Sequence, residues 1–411
     1  MRTSLLALTF SLLVTTHVFA AGAVVVGTCK SGIHFTTIQA AVTASPAGTT
    51  INICPGVYPE QVTISSAMTL IGLSSVSANQ GAAVITAPAG GIVQNATSLS
   101  SGNPIAAQIL VQSNGGSVTI NNLTVDGGSS LITGCAPNLI GIYYQNSSGT
   151  ITHSNVLNQA LTPDLNGCQS GLGIFVQSGS GGTSNVTVSS NNVQNYQKNG
   201  ITANEVGTSA KITGNTVIGQ GLTSGAAENS IQIAFGATGV IQANTVGSDD
   251  YVDPTTAAAA GILVYASKSV SIVKNNVSNT QLGISVDSQN PGDADGAGIT
   301  GNTVSMTHAY DGIDACSSHN TISSNIVSGS DEAGIHLDGL CTGASIGNSV
   351  TANTINGACA GILSNSASGN TISGNKFYNA GTLVLTGSDA CTPPLRPVKR
   401  SGPSALKPAR P

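Results

Sequence analysis

From about residue 115 the chain keeps returning to one phrase, hydrophobic-x-x-Asn-x-hydrophobic. It reads "VTINNL" at 118, "VSSNNV" at 188, "ITGNTV" at 212, "IQANTV" at 241, "IVKNNV" at 272, "ITGNTV" at 299, "ISSNIV" at 322, "VTANTI" at 350 and "ISGNKF" at 372. "ITHSNV" at 151 is a degenerate copy with Ser154 in the Asn slot. Between copies sits a second phrase beginning Gly-Ile: "GIYYQ" 141, "GIFVQ" 173, "GITAN" 200, "GILVY" 261, "GISVD" 283, "GIDAC" 312, "GIHLD" 334 and "GILSN" 361, with "SIQIA" at 230 in the missing slot. Successive asparagines lie 22 to 37 residues apart, the period of one solenoid turn. Apolar positions alternate with period two, and Gly, Asn and β-branched residues fill the units, which excludes a helical repeat. Each turn is therefore expected to be a coil of short parallel strands with Ile and Val stacked inside. An Asn at a fixed corner can hydrogen-bond its counterpart ~4.8 Å away on the next coil, forming a structural ladder.

The composition agrees: 7% charged residues, no Trp, 51 Gly and 40% hydrophobic residues describe an all-β chain with enough apolar surface for a core. At the entrance, "FTTIQAAVTASPAGTTINICPGVYPEQVTISSAMTLIGL" (35 to 73) predicts a short amphipathic helix with Ile38, Ala41 and Val42 on one face, then strand, turn, strand. A solenoid needs such a cap over its first open coil. This stretch, with Gly56-x-Tyr58-x-Glu60, resembles the start of pectin-lyase-like right-handed parallel β-helix proteins, including pectin methylesterases and pectate lyases. The Asn and Gly-Ile phrases resemble the sugar-hydrolase and carbohydrate-binding β-helix repeat, also seen in a periplasmic family associated with copper-site maturation. The resemblance covers about residues 33 to 380 and implies a right-handed parallel β-helix. It leaves the reaction open.

Arg2 followed by "LLALTFSLLV", with Val18-Phe19-Ala20 offering small residues at the positions a signal peptidase reads, predicts a signal peptide over 1–20 cleaved after Ala20 and an exported protein, secreted, periplasmic or held at the cell surface. The expected β-helix domain is 21–385, with its cap at about 33–60 and coils at about 60–380. Residues 386–411, with six Pro and five basic residues after position 391, read as a disordered tail. In an oxidising compartment the eight cysteines read as disulfides. Cys135 and Cys168 precede Gly-Ile phrases of adjacent coils and are expected to pair, and Cys29 with Cys54 to staple the cap. The partners of Cys316, Cys341, Cys359 and Cys391 stay open. No CxxC or CxxH spacing supports a metal cluster, so no metal is expected.

The trunk has no arginine and carries all 17 acidic residues against six lysines. The resembled methylesterases, pectate lyases and polygalacturonases use arginine in catalysis or to hold a carboxylate, a planar grip lysine does not supply, so those activities are disfavoured. Nucleic acid and bare polyuronate would be repelled. In each Gly-Ile strand the second and fourth residues after Gly point away from the core. The second-place column runs Tyr143, Phe175, Thr202, Gln232, Leu263, Ser285, Asp314, His336, Leu363, and the fourth-place column Gln145, Gln177, Asn204, Ala234, Tyr265, Asp287, Cys316, Asp338, Asn365.

Asp287, Asp314, His336 and Asp338 thus gather on one exterior face as candidate catalytic residues. Asp311 and Asp331 stand at its edge and Tyr143, Phe175 and Tyr265 upstream as candidate substrate contacts. Asp287 and Asp338, two rungs apart at ~9.6 Å, stand near the upper edge of the separation of an inverting glycosidase's carboxylates. The expected partner is a polysaccharide, with no membrane span and no cofactor. Three readings remain: an inverting glycoside hydrolase, a lyase with calcium bridging the carboxylates and Lys268 or Lys274 as base, and a noncatalytic binding or surface protein. "YDGIDACSSH" touches the Asp-Pro-His-Asp motif of uronan epimerases only at Asp314. The runs "GSDDYVDP" (Asp249, Asp250, Asp253) and "DSQNPGDADGAG" (Asp293, Asp295) complete no calcium loop and read as surface turns.

Overall fold

A computed structural model describes residues 23–74, 82–252, 258–339, 344–365 and 369–386. The expected signal peptide and basic tail lie outside these residues. Among them, three long sheets of 14, 12 and 13 strands wrap one continuous core. Every strand pairing is parallel except a short antiparallel contact of Ala96–Thr97 on Pro104–Val111. The Asn phrase wraps the corner between the first and second sheets: its opening residues form first-sheet strands such as Ser271–Val273, and those after the Asn form second-sheet strands such as Asn276–Thr280. The Gly-Ile phrases form the third sheet, and the register stacks each Ile on the next, Ile262 on Ile284 and Ile284 on Ile313. These stacks are fully buried.

The ladder has the expected form. Asn191, Asn215, Asn244, Asn275, Asn302, Asn325, Asn353 and Asn375 occupy the corner, and each backbone N–H donates to the Oδ1 of the next at 2.9 to 3.0 Å. The same side chains donate from Nδ2 to a carbonyl of the preceding coil, as Asn325 does to Ile299 at 2.9 Å. Ser154 fills its slot, accepting from Leu123 N–H. The "VTINNL" copy is corrected by two residues. Ile120, not Val118, pairs with Ile151, so the ladder position there is Leu123. A second, shorter ladder of Asn320, Asn348 and Asn370 runs along the downstream coils.

The cap helix is Ile38–Ala44, with Ile38, Ala41 and Val42 buried and Thr37 as N-cap. The Glu60 carboxylate accepts from the backbone N–H groups of Ile38 and Gln39 at 2.8 Å each, and Tyr58 donates to the Cys54 carbonyl at 2.8 Å. The Gly56-x-Tyr58-x-Glu60 motif is therefore a helix-fastening device. Cys29–Cys54 and Cys135–Cys168 are disulfides, and Cys316 and Cys359 are also disulfide-bonded. Among the described residues no helix is long and apolar enough to cross a membrane.

Candidate functional site

The predicted columns stand in the predicted register. Tyr143 pairs with Phe175, Phe175 with Thr202, Ser285 with Asp314, Asp314 with His336, and Asp287 with Cys316. Their exposure is corrected. Asp287, Asp314, His336 and Asp338 are 1%, 0%, 4% and 1% exposed, so they form a buried centre and not an open face. At the edge of the sheet the connection leading into Ile313–Cys316 packs Ala309 and Tyr310 with Leu263 and Leu282.

Upstream the correction is complete. Tyr143 and Phe175 stack at 5.0 Å with an interplanar angle of 12°, but both are fully buried in an apolar cluster with Ile105, Ala107 and Leu110. Residues 97–99 close over them: Gln145 donates to the Thr97 carbonyl at 2.7 Å and Leu99 N–H donates to Gln177 at 3.0 Å. These rings are core and have no face to offer a sugar. Tyr265 is partly buried, edge-on to Phe235 at 5.5 Å. Asp331 is exposed and accepts from Ala309 N–H at 2.8 Å, a turn contact.

Asp311, expected at the edge, is instead fully buried and grips His336, its Oδ2 lying 3.1 Å from the imidazole Nδ1. The other oxygen accepts from Ala333 N–H at 3.0 Å. Burial opposes a charge on His336, but the charge and hydrogen bond of Asp311, then Asp338 and Asp314, outweigh it and push the imidazole up to about 10. The ring is an imidazolium at neutral pH. Its Nε2 has no hydrogen-bond partner among the described residues.

Ligand-type atoms of Asp311, Asp314 and His336 lie within 4.8 Å of one another, as do those of Asp314, Cys316 and Asp338. Neither set suits a metal well. The imidazole has to lose a strongly held proton before it ligates, and a disulfide sulfur offers no thiolate. Lys268 is exposed in a turn, and Lys274, also exposed, follows a strand of the first sheet. Neither stands on the sheet that carries the acids.

A second buried acidic centre escaped the sequence reading. Asp249, expected in a surface turn, is fully buried. Tyr196 donates to its Oδ1 at 2.7 Å and Ser230 Oγ lies 2.6 Å from its Oδ2. Burial raises this carboxyl to about 8, against the lowering effect of the Ser230 and Tyr196 hydroxyls. Both hydroxyls point their hydrogen bonds at the carboxyl, and Ser230 Oγ also lies 3.2 Å from the Val217 carbonyl.

Glu228, also fully buried, is pushed well above the usual carboxyl range by burial and then by Asp249, with Gln220 N–H and Lys198 opposing. The two carboxyls converge on Gly219, where an added Cβ would lie 2.3 Å from Glu228 Oε2 and 2.7 Å from Asp249 Oδ1. The register shift between Ile218 and Gly221 makes this room. One signal was available in the sequence: Lys198-Asn199-Gly200-Ile201 and Glu228-Asn229-Ser230-Ile231 put opposite charges in the same place of adjacent copies. Asp293 and Asp295 are turn residues as expected, accepting from Gln289, Asn290 and Ser318 N–H.

With this geometry in hand, the likenesses to other proteins are informative. The A-modules of the Azotobacter vinelandii mannuronan C-5 epimerases AlgE4 and AlgE6 superpose with a TM-score of 0.51 each, at 15% and 14% identity. They cover 85% and 90% of this chain and 92% and 95% of those modules. The Dettilon tailspike protein gp208 superposes at 0.57 with 16% identity, over 83% of this chain and 64% of the tailspike.

The fold is the pectin-lyase-like right-handed parallel β-helix. Residues 227–390 match the family described as periplasmic copper-binding protein (NosD). No curated protein matches the chain. A copper role is not supported by the donor set: both three-residue clusters of ligand-type side chains among the described residues centre on carboxylates, with one protonated imidazole and one disulfide sulfur, whereas copper favours soft sulfur or neutral imidazole. The disulfides and the periplasmic family match agree with an extracytoplasmic location.

Proposed function

We propose that this β-helix is an exported polysaccharide-binding protein whose glycan site is the His336 centre on the outer side of the third sheet, and that the clustered carboxylates there act on a glycosidic bond. The observation that carries the reading is the placement of Asp314 and His336 on neighbouring rungs, with the imidazolium held by Asp311 and further carboxylates on the adjoining rungs. His336 then donates a charged hydrogen bond to a sugar hydroxyl. Asp338 accepts the proton of an attacking water while a protonated Asp287, two rungs away at ~9.6 Å, gives its proton to the leaving oxygen, with Asp314 between them as the alternative base. The fold-level likeness to proteins named as polysaccharide epimerases supports a glycan partner but not a reaction type. A calcium-assisted lyase has less support, because the centre already holds an imidazolium and neither Lys268 nor Lys274 stands on its sheet. Since the centre is buried, glycan contact has to uncover it.

The purified protein is to be screened against plant and microbial glycans for binding and product release, with and without calcium. Asp314→Asn and Asp338→Asn, compared at equal folded fraction, are expected to lower turnover at least ~100-fold. Binding without turnover that these variants abolish would leave a lectin-like site. Unchanged binding and rates in Asp287→Asn, Asp314→Asn and Asp338→Asn would remove the centre from function.

A further inference from the structure

The Glu228 centre opens onto a cleft that the reading above does not use. Its volume is about 210 Å³, and its lining includes Asn166, Gln197, Gln220, Thr223, Ser224 and Glu228. Asn166, Gln220 and Ser224 are exposed and form a rim of uncharged amides and a hydroxyl, while Glu228 is fully buried. Gln197 is held in place by its own bonds, accepting from Leu161 N–H and donating to the Leu165 and Cys168 carbonyls at 2.8, 2.8 and 2.9 Å. Glu228 Oε2 accepts from Gln220 N–H at 2.9 Å, but Oε1 is buried with no partner. A buried polar oxygen left unpaired costs about 1–3 kcal/mol, and a group entering the cleft would remove that cost.

We propose that this cleft is a binding site for one neutral hexopyranose unit, with the Glu228 carboxyl hydrogen-bonded through Oε1 to a sugar hydroxyl and the amide and hydroxyl rim holding the others. Three features select that chemistry. The rim has no charge, so neither an anion nor a cation is drawn by it. The groups facing Glu228 are Asp249, whose Oδ1 meets it across Gly219, and Lys198, one rung away, which donates to the Ala227 carbonyl. Burial and then Asp249 push the Glu228 carboxyl well above its usual range, which favours a hydroxyl over a carboxylate as its partner. The site is three rungs of the third sheet upstream of Asp314, so it stands or falls independently of the His336 centre.

Saturation-transfer NMR with the methyl glycosides of D-glucose, D-mannose and D-galactose, and with D-glucuronate as the anionic control, tests this. At least one neutral glycoside is expected to bind in the millimolar range and glucuronate at least ~10-fold more weakly. Glu228→Gln keeps a donor and an acceptor and should hold affinity within ~3-fold, whereas Glu228→Ala should lose ~10-fold, about 1.4 kcal/mol. Ser224→Phe, at the exposed rim, should block binding while leaving the melting temperature unchanged, which covers the case that Glu228→Ala fails to fold. Lys211→Ala, at an exposed first-sheet position away from both centres, should bind as wild type. No signal from any neutral glycoside, equal binding by glucuronate, or unchanged binding in Ser224→Phe would overturn the proposal.

Discussion

Two regions of one solenoid, three rungs apart, bury carboxylates in a chain that is only 7% charged, and they keep those groups inside by opposite means. Around His336 the device is charge. Asp311 is bonded to the imidazole at 3.1 Å, and with Asp338 and Asp314 nearby it keeps the ring protonated to about pH 10. Around Glu228 the device is neutrality: burial holds Asp249 protonated to about pH 8, and hydroxyls of Tyr196 and Ser230 take up its hydrogen bonds. An ion pair loses much when one member is removed, since the survivor is a buried charge. A neutral acid loses little when exchanged for its amide. The His336 centre is therefore suited to a charged contact with a ligand, and the Glu228 centre to a hydroxyl.

The largest effect should separate the two directly. Asp311→Asn strands an imidazolium and is expected to lower unfolding free energy in urea by ~3–5 kcal/mol, while Asp249→Asn should cost less than ~1.5 kcal/mol. Equal losses would break the comparison. Gly219→Ala comes next. Its Cβ would meet the Ser248 carbonyl at 2.5 Å as well as both carboxyls, so ~1–3 kcal/mol is expected, with the His336 centre untouched.

The pH dependence of urea unfolding sharpens the contrast further. Both centres carry raised pKa values, so in each the native state holds protons that the unfolded state has released, and stability falls as pH rises. For Asp249 the fall runs from its ordinary 3.8 to about 8, and for His336 from 6.5 to about 10, each at up to ~1.4 kcal/mol per pH unit. Asp249→Asn should reduce the slope in the lower window, leaving the share of Glu228, whose carboxyl is also raised, and His336→Gln should flatten the upper one. If either substitution flattens the other's window, the centres are coupled. The smallest effect belongs to Asp331→Ala, which removes one exposed turn contact and should cost ~0.5–1 kcal/mol.

How far each centre could be read from the sequence differs for a physical reason. Asp314 beside His336 was legible, because both sit in the same slot of adjacent Gly-Ile copies and a period-two strand in a regular coil leaves no other placement. The grip of Asp311 on that ring was not, because Asp311 stands immediately before Gly312, outside the second and fourth places, and only the folded strand brings its carboxylate to the imidazole of the next rung. Glu228 and Asp249 come from different sheets, and they meet over Gly219, inside the register shift at 218–221. No repeat phrase encodes that shift.

The sequence alone determined the coil, the Asn ladder, the Cys135–Cys168 pairing and which outward residues share a column, because these follow from local alternation and from stacking similar units, and it determined the cap helix through the amphipathic pattern of 38–42 ahead of the repeats. Whether a column faces water was decided only by the tertiary structure. Residues 97–99 close over Tyr143 and Phe175, and Ala309 and Tyr310 pack with Leu263 and Leu282, through connections whose lengths and paths vary from coil to coil. Burial in turn set the protonation of His336, Asp249 and Glu228. A pKa depends on every group within a few ångströms, and most of those groups are far away along the chain.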